Sequence, residues 1–143
     1  MKISSILESK GAEVITISAQ ANLKAVANMM SDHRIAALVV LKDRKVVGVI
    51  SERDIVAALA QHGQSAGAIQ LKDVLKWPLV SITTADTIKQ AMWLMTYGHV
   101  RHLPVINEGE LKGIVSLGDV VKYRLEEVEM ESNVLRDLAV AVR

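Results

Sequence analysis

The chain has 143 residues, a formal net charge of +1, 50% hydrophobic and 3% aromatic residues, and no cysteine. This is enough to bury one compact core, or two small units sharing one; it excludes disulfides and thiolate metal sites, and no apolar run reaches the roughly 18 to 20 residues that span a bilayer. With near-neutral charge, no basic stripe, and only Trp77, Trp93, Tyr97 and Tyr123 as aromatics, the composition argues against a nucleic-acid partner.

The N-terminal stretch Met1–Leu7 lacks the apolar core of a secretory signal, so the expected location is the cytoplasm. Residues 3–8 read as a short lead-in helix, followed by a strand-like run at Val14–Ile17. Leu23, Val26, Ala27 and Met30 fall at helical spacing within a predicted helix over Ala21–Asp32. Ala37–Leu41 and Val46–Ile50 read as buried strands joined by the polar tip Lys42–Lys45, and a helix opens near Glu52. Residues 63–70, which carry Gly63 and Gly67, read as a linker.

The same order then repeats. A second lead-in helix is predicted over 71–76 and a strand over Val80–Thr83. A helix follows over Thr87–Tyr97, with Ile88, Ala91, Met92 and Met95 on one face. Strands Leu103–Ile106 and Leu111–Val115 come next, and a helix opens near Leu117. A shift of 65 residues superposes the two halves from Ile15 onward without a gap. Ile15 meets Val80, Met30 meets Met95, and Leu38 meets Leu103, while Gly48, Ser51 and Asp54 meet Gly113, Ser116 and Asp119. The expected architecture is α/β, with two β-α-β-β-α units packed sheet to sheet: repeat one over 1–62, the linker over 63–70, repeat two over 71–131 and a helical tail over 132–143. One such unit has too little surface to bury alone. Val121, Leu125, Val128, Leu135, Leu138 and Val142 give the C-terminal helix an apolar face, suited to a partner, to a second copy, or to docking on its own domain.

The doubled Gly-x-x-Ser-x-x-Asp carries the candidate chemistry, and two uses of it stay open. Ser followed three residues later by Asp at a helix start is a capping box. The same geometry can hold a nucleotide. The helix start offers amides to a phosphate, the Ser adds a hydroxyl, and the Asp accepts from two adjacent sugar hydroxyls. The glycine would permit close approach, and the flanking Ile and Val would make a slot for a purine. His99, Arg101 and His102 in the second repeat, and His33 and Arg34 in the first, supply counter-charge.

On Gly48-Val-Ile-Ser51-x-x-Asp54 with His33-Arg34-Ile35, and Gly113-Ile-Val-Ser116-x-x-Asp119 with Val100-Arg101-His102-Leu-Pro104-Val105, the chain resembles a tandem pair of cystathionine-β-synthase (CBS) domains, of the stand-alone bacterial kind. The resemblance spans Ile3 to about Glu127. It implies a regulatory, non-catalytic module that commonly forms a homodimer, acts on an unidentified protein, and binds AMP, ADP, ATP, NAD(H) or S-adenosylmethionine. By that likeness one cleft would take Ser116 and Asp119 with Val14, Ile15, Ile35 and Ala37, and phosphates near Arg101 and His102. The other would take Val49, Ser51, Arg53 and Asp54 with Leu79, Val80, Val100, His102 and Pro104. Ala36, where a basic residue often sits, and Val39, where the second repeat has Pro104, depart from the pattern. The Asp119 cleft is therefore the better equipped of the two for phosphate. A structural adaptor whose Ser/Asp pairs only cap their helices is the alternative function.

Overall fold

The computed structural model describes residues 1–142; Arg143, the last residue of the expected tail, lies outside the described residues. The first half runs α1 (Ile3–Lys10), β1 (Thr16–Ser18), α2 (Leu23–His33), β2 (Ala37–Lys42), β3 (Lys45–Ser51) and α3 (Glu52–His62). The second runs α4 (Ile88–Gly98), β4 (His102–Asn107), β5 (Glu110–Ser116) and α5 (Leu117–Ala141). Strands β2–β3 and β4–β5 are antiparallel hairpins with the same register and a bulge at the same repeat position, after Val40 and after Val105. Their tips, Asp43-Arg44 and Glu108-Gly109, all adopt positive φ, as a two-residue turn matching the strand twist requires.

Alternation along β2 and β4 splits their side chains between two layers. Leu38 and Val40 join the first core with Leu23, Val26 and Ile50, and Leu103 and Val105 join the second with Ile88, Met95 and Val115. On the opposite face Val39 and Pro104 are buried too, and β3 touches both β4 and β5. The two units therefore meet sheet to sheet.

Three features differ from the sequence expectation. First, the strand expected over Val80–Thr83 shrinks to a single parallel bridge between Ile82 and Val105, although its counterpart β1 pairs with β2 over three residues. In the first repeat the amide of Val39 donates to the Ile15 carbonyl at 3.3 Å. The repeat mates are Pro104 and Val80, and proline has no N–H to donate.

Second, the linker is packed structure. Gly63–Ala68 forms a 3-10 helix whose Ala66 is buried against α2 and α3.

Third, the lead-in segments cross over. Ile3, Ile6 and Leu7 lie in the core of the second repeat, and Leu71 lies in the core of the first. Their mates stand 68 apart rather than 65 (Ile3 and Leu71, Leu7 and Leu75), so they sit outside the gapless repeat. The glycines serve this exchange. A Cβ on Gly48 would stand 2.7 Å from Leu75 Cδ2, and one on Gly113 would stand 2.6 Å from Leu7 Cδ2. The close approach that the glycine permits is to the lead-in leucine. The two lead-ins also differ in length: the first is an eight-residue helix, the second a three-residue 3-10 turn, Leu71–Asp73.

No described helix is long and apolar enough to cross a membrane.

Candidate nucleotide site

Ser51 and Ser116 end β3 and β5 and start α3 and α5. Each following carboxylate turns back on the serine. Asp54 Oδ2 accepts from the Ser51 amide at 2.8 Å and from Ser51 Oγ at 3.0 Å; Asp119 Oδ2 accepts from the Ser116 amide at 2.9 Å, and the Asp119 amide donates to Ser116 Oγ at 3.2 Å. The capping reading is thus realised in both copies. It engages Oδ2 alone, so the cap fixes the rotamer of Asp54 and leaves Oδ1 for another donor.

The first amide of each helix is also committed. Glu52 donates to the Ala36 carbonyl at 3.0 Å, and Leu117 to that of Arg101 at 2.8 Å. Phosphate binding at these helix starts would therefore draw on side-chain cations more than on free amides.

A cleft of about 440 Å³ opens beside Asp54, within the roughly 300 to 1,000 Å³ range of small-molecule sites. It is lined by Ser51, Arg53 and Asp54 from the start of α3 and by Val49 from β3. Leu79, Val80, Val100 and His102 line it from the second repeat. Of the nine residues expected there, only Pro104 is absent from the lining; it is buried between the sheets. Arg101, expected beside Asp119, lines this cleft instead, next to His99. The walls suit the fit of a purine nucleoside: apolar Val49, Leu79, Val80 and Val100 for the ring, Asp54 for the sugar, and Arg53, Arg101 and Lys76 for the phosphate. Glu52 opposes them with one negative charge.

Sequence reasoning missed Lys76, Pro78 and Glu52. Lys76 Nζ stands 3.8 Å from Asp54 Oδ1 with its side chain 82% exposed. It follows the out-of-register lead-in, so the 65-residue repeat gave no mate to flag it.

The Asp119 side differs. Lys10 Nζ donates to Asp119 Oδ2 at 2.7 Å and to the Ile114 carbonyl at 2.9 Å. Burial works to raise the Asp119 pKa, but the hydrogen bonds from Lys10 and the Ser116 amide and the Lys10 charge outweigh it and hold the carboxyl below its usual value. Val14, Ile15, Ile35 and Ala37, expected to complete a cleft here, sit half-buried, with Ile15 and Ile35 against the core of the first repeat and Ala37 paired with Ser51.

His102 lies between the two sides. Burial, foremost, and the nearby Lys10 and Arg101 lower its pKa from 6.5, while Asp119 and Glu52 work to raise it. A lowered folded-state value means that below pH 6.5 the unfolded chain takes up a proton that the folded chain refuses. Stability is then full above that pH and falls as the pH drops through it. In urea unfolding, His102→Gln is expected to show a shallower loss of stability between neutral pH and about one unit below 6.5 than the parent. Parallel losses in the two proteins would contradict this origin of the pH dependence.

Comparison with known proteins agrees with the duplication. The CBS domain family matches twice, over residues 5–61 and 71–126. The chain is 34% identical to the CBS-domain containing protein ATU1752 from Agrobacterium tumefaciens, with a TM-score of 0.83 over 87% of this chain and 99% of that one. It is 26% identical to the CBS domain protein PAE2072 from Pyrobaculum aerophilum, solved in complex with AMP, with a TM-score of 0.72 over 83% of this chain and 89% of that one. Among curated proteins, it is 34% identical over 103 residues to the mitochondrial CBS domain-containing protein CBSX3 of Arabidopsis thaliana, a match spanning 68% of this chain and half the length of that one. The chain belongs to the CBS domain family.

Proposed function

We propose that the chain is a regulatory sensor of adenosine nucleotides, that the cleft beside Asp54 is its binding site, and that AMP, ADP or ATP is the ligand. The observation that carries this reading is the convergence, in one cleft of about 440 Å³, of a carboxylate held by its cap with Oδ1 left out of that cap, apolar walls, and the cations Arg53, Lys76 and Arg101. The AMP complex of PAE2072 supports it by family likeness. NAD(H) and S-adenosylmethionine share the adenosine half and would use the same sugar and base contacts. The role in this reading is binding without catalysis, and the hydroxyl of Ser51 serves the cap of its own helix.

A ligand bridging the two units would favour one arrangement of them only by its differential affinity. The expected assembly is a homodimer, and Leu125, Leu135 and Leu138 on the exposed face of α5 offer a surface to a regulated protein. The adaptor reading keeps that surface and dispenses with the ligand; the caps seen at both aspartates are what favours it.

Calorimetry separates the two. AMP is expected to bind, and 2′-deoxy-AMP to bind at least about tenfold more weakly, since it loses one hydrogen bond to a charged carboxylate. Absence of heat and of any thermal shift with AMP, ADP, ATP, NADH and S-adenosylmethionine would overturn the sensor in favour of the adaptor.

A further inference from the structure

The geometry points to Lys10 as the resident partner of the second aspartate: its ammonium bonds Asp119 Oδ2, the oxygen that also serves the cap, and neutralises at 2.7 Å the carboxylate that a ribose diol would need, so the chain binds one nucleotide, at Asp54, rather than two. This inference rests on the sensor reading and adds to it which of the duplicated sites is open.

Val49 and Asp54 both line the open cleft, and the sensor reading gives the first to the base and the second to the sugar. Their repeat mates are Ile114 and Asp119, and the Lys10 ammonium bridges these two, at 2.9 Å from the Ile114 carbonyl and 2.7 Å from Asp119 Oδ2. A ligand entering there would have to break both hydrogen bonds and separate an ion pair whose side chains are only 32% and 24% exposed.

The fold holds Lys10 in that place. It is the last residue of α1, three positions after Leu7, so the two side chains share a helix face. Leu7 sits against Gly113, where a Cβ would come within 2.6 Å of it, and Lys10 reaches the next residue along β5. Gly11 closes the helix at positive φ, its amide donating to the Leu7 carbonyl at 2.9 Å.

The first site lacks this device because its lead-in is too short. The second lead-in ends as a 3-10 turn at Asp73. By the 68-residue offset that pairs Leu7 with Leu75, the mate of Lys10 is Pro78, which carries no charge and lines the open cleft. The nearest cation to Asp54, Lys76, is one residue past Leu75 and 82% exposed at 3.8 Å. It is free to swing toward an incoming phosphate.

The test is calorimetry with AMP on the full chain, as wild type, Lys10→Ala, Lys10→Met (which keeps an unbranched aliphatic side chain without the charge) and Lys10→Ala/Asp119→Ala. Expected is one site per chain in the wild type, two in both single variants, and one again in the double variant. A single site in both folded single variants, or two sites in the wild type, overturns the inference and leaves the sensor reading intact. No binding in the wild type with a new Asp119-dependent site in Lys10→Ala supports Lys10 as the partner of Asp119 and overturns the Asp54 assignment. No binding in any variant overturns both.

A ligand-free readout bears on the same point. Acetylation by an amine-reactive ester, followed residue by residue by mass spectrometry, is expected to modify Lys10 severalfold more slowly than Lys76, and to lose that difference in Asp119→Asn. Equal rates in the wild type would overturn the inference.

Discussion

Asp54→Ala is expected to weaken AMP binding by at least about 100-fold. A ribose diol on Asp54 makes up to two hydrogen bonds to a charged acceptor, each contributing roughly 1.5 to 3 kcal/mol, and about 2.8 kcal/mol already corresponds to 100-fold. The same substitution removes the acceptor for the Ser51 amide at 2.8 Å, a cap of about 1 kcal/mol. A modest fall in Tm therefore accompanies the loss of affinity without explaining it. Asp119→Ala is the internal control. It removes the equivalent cap, which accepts the Ser116 amide at 2.9 Å, and is expected to leave AMP affinity within about twofold, roughly 0.4 kcal/mol. Equal losses in the two variants would show that the caps, and not a sugar contact, govern binding, and would return the chain to a scaffold reading.

The largest expected effect on stability comes from Leu71→Ala. Leu71 is fully buried, and truncating a buried leucine costs about 2 to 5 kcal/mol through lost transfer energy and the cavity left behind. At roughly 2 to 4 °C per kcal/mol for a chain of this size, Tm should fall by about 4 to 20 °C. The location of the damage is the sharper test. By sequence Leu71 belongs with the second repeat, yet it packs with Leu23, Val26, Leu38 and Ile50. Hydrogen exchange should therefore accelerate first in α2 and β2. Ile6→Ala, whose side chain packs with Ile88, Leu103 and Val115, should instead accelerate α4 and β4. Exchange that follows sequence halves, with Leu71→Ala loosening α4 and β4 first, would contradict the crossover.

These expectations divide along the line between what is local and what is not. The duplication, the β-α-β-β-α order, both hairpins and both Ser/Asp helix starts were legible because each has a short-range signature: apolar period, turn residues, or a residue pair three apart. The lining of the Asp54 cleft was legible for eight of nine residues, on family likeness and not on spacing. Less was legible around the lead-ins. The apolar pattern of residues 71–76 matches a helix as well as residues 3–8 do, yet only the first continues as one. The strand over Val80–Thr83 reads as well as Val14–Ile17 does, yet the partner residue, Pro104, has no amide to complete the ladder. That deficit belongs to the neighbouring strand and is invisible in the run itself.

The second cleft shows the same division most clearly. Arg101 and His102 mark it, from sequence, as the better phosphate site, but Arg101 lines the Asp54 cleft instead, where His102 was also expected and is found, and Lys10 reaches Asp119 from 109 positions away along the chain. By itself the sequence determined that there are two like units, where their strands and helices start, and which residue types could grip a sugar. Tertiary structure alone decided which lead-in covers which core, and therefore which aspartate meets a cation from its own chain. The reason is that local periodicity fixes the face a segment will bury, whereas the partner of that face is chosen by packing among segments far apart in sequence.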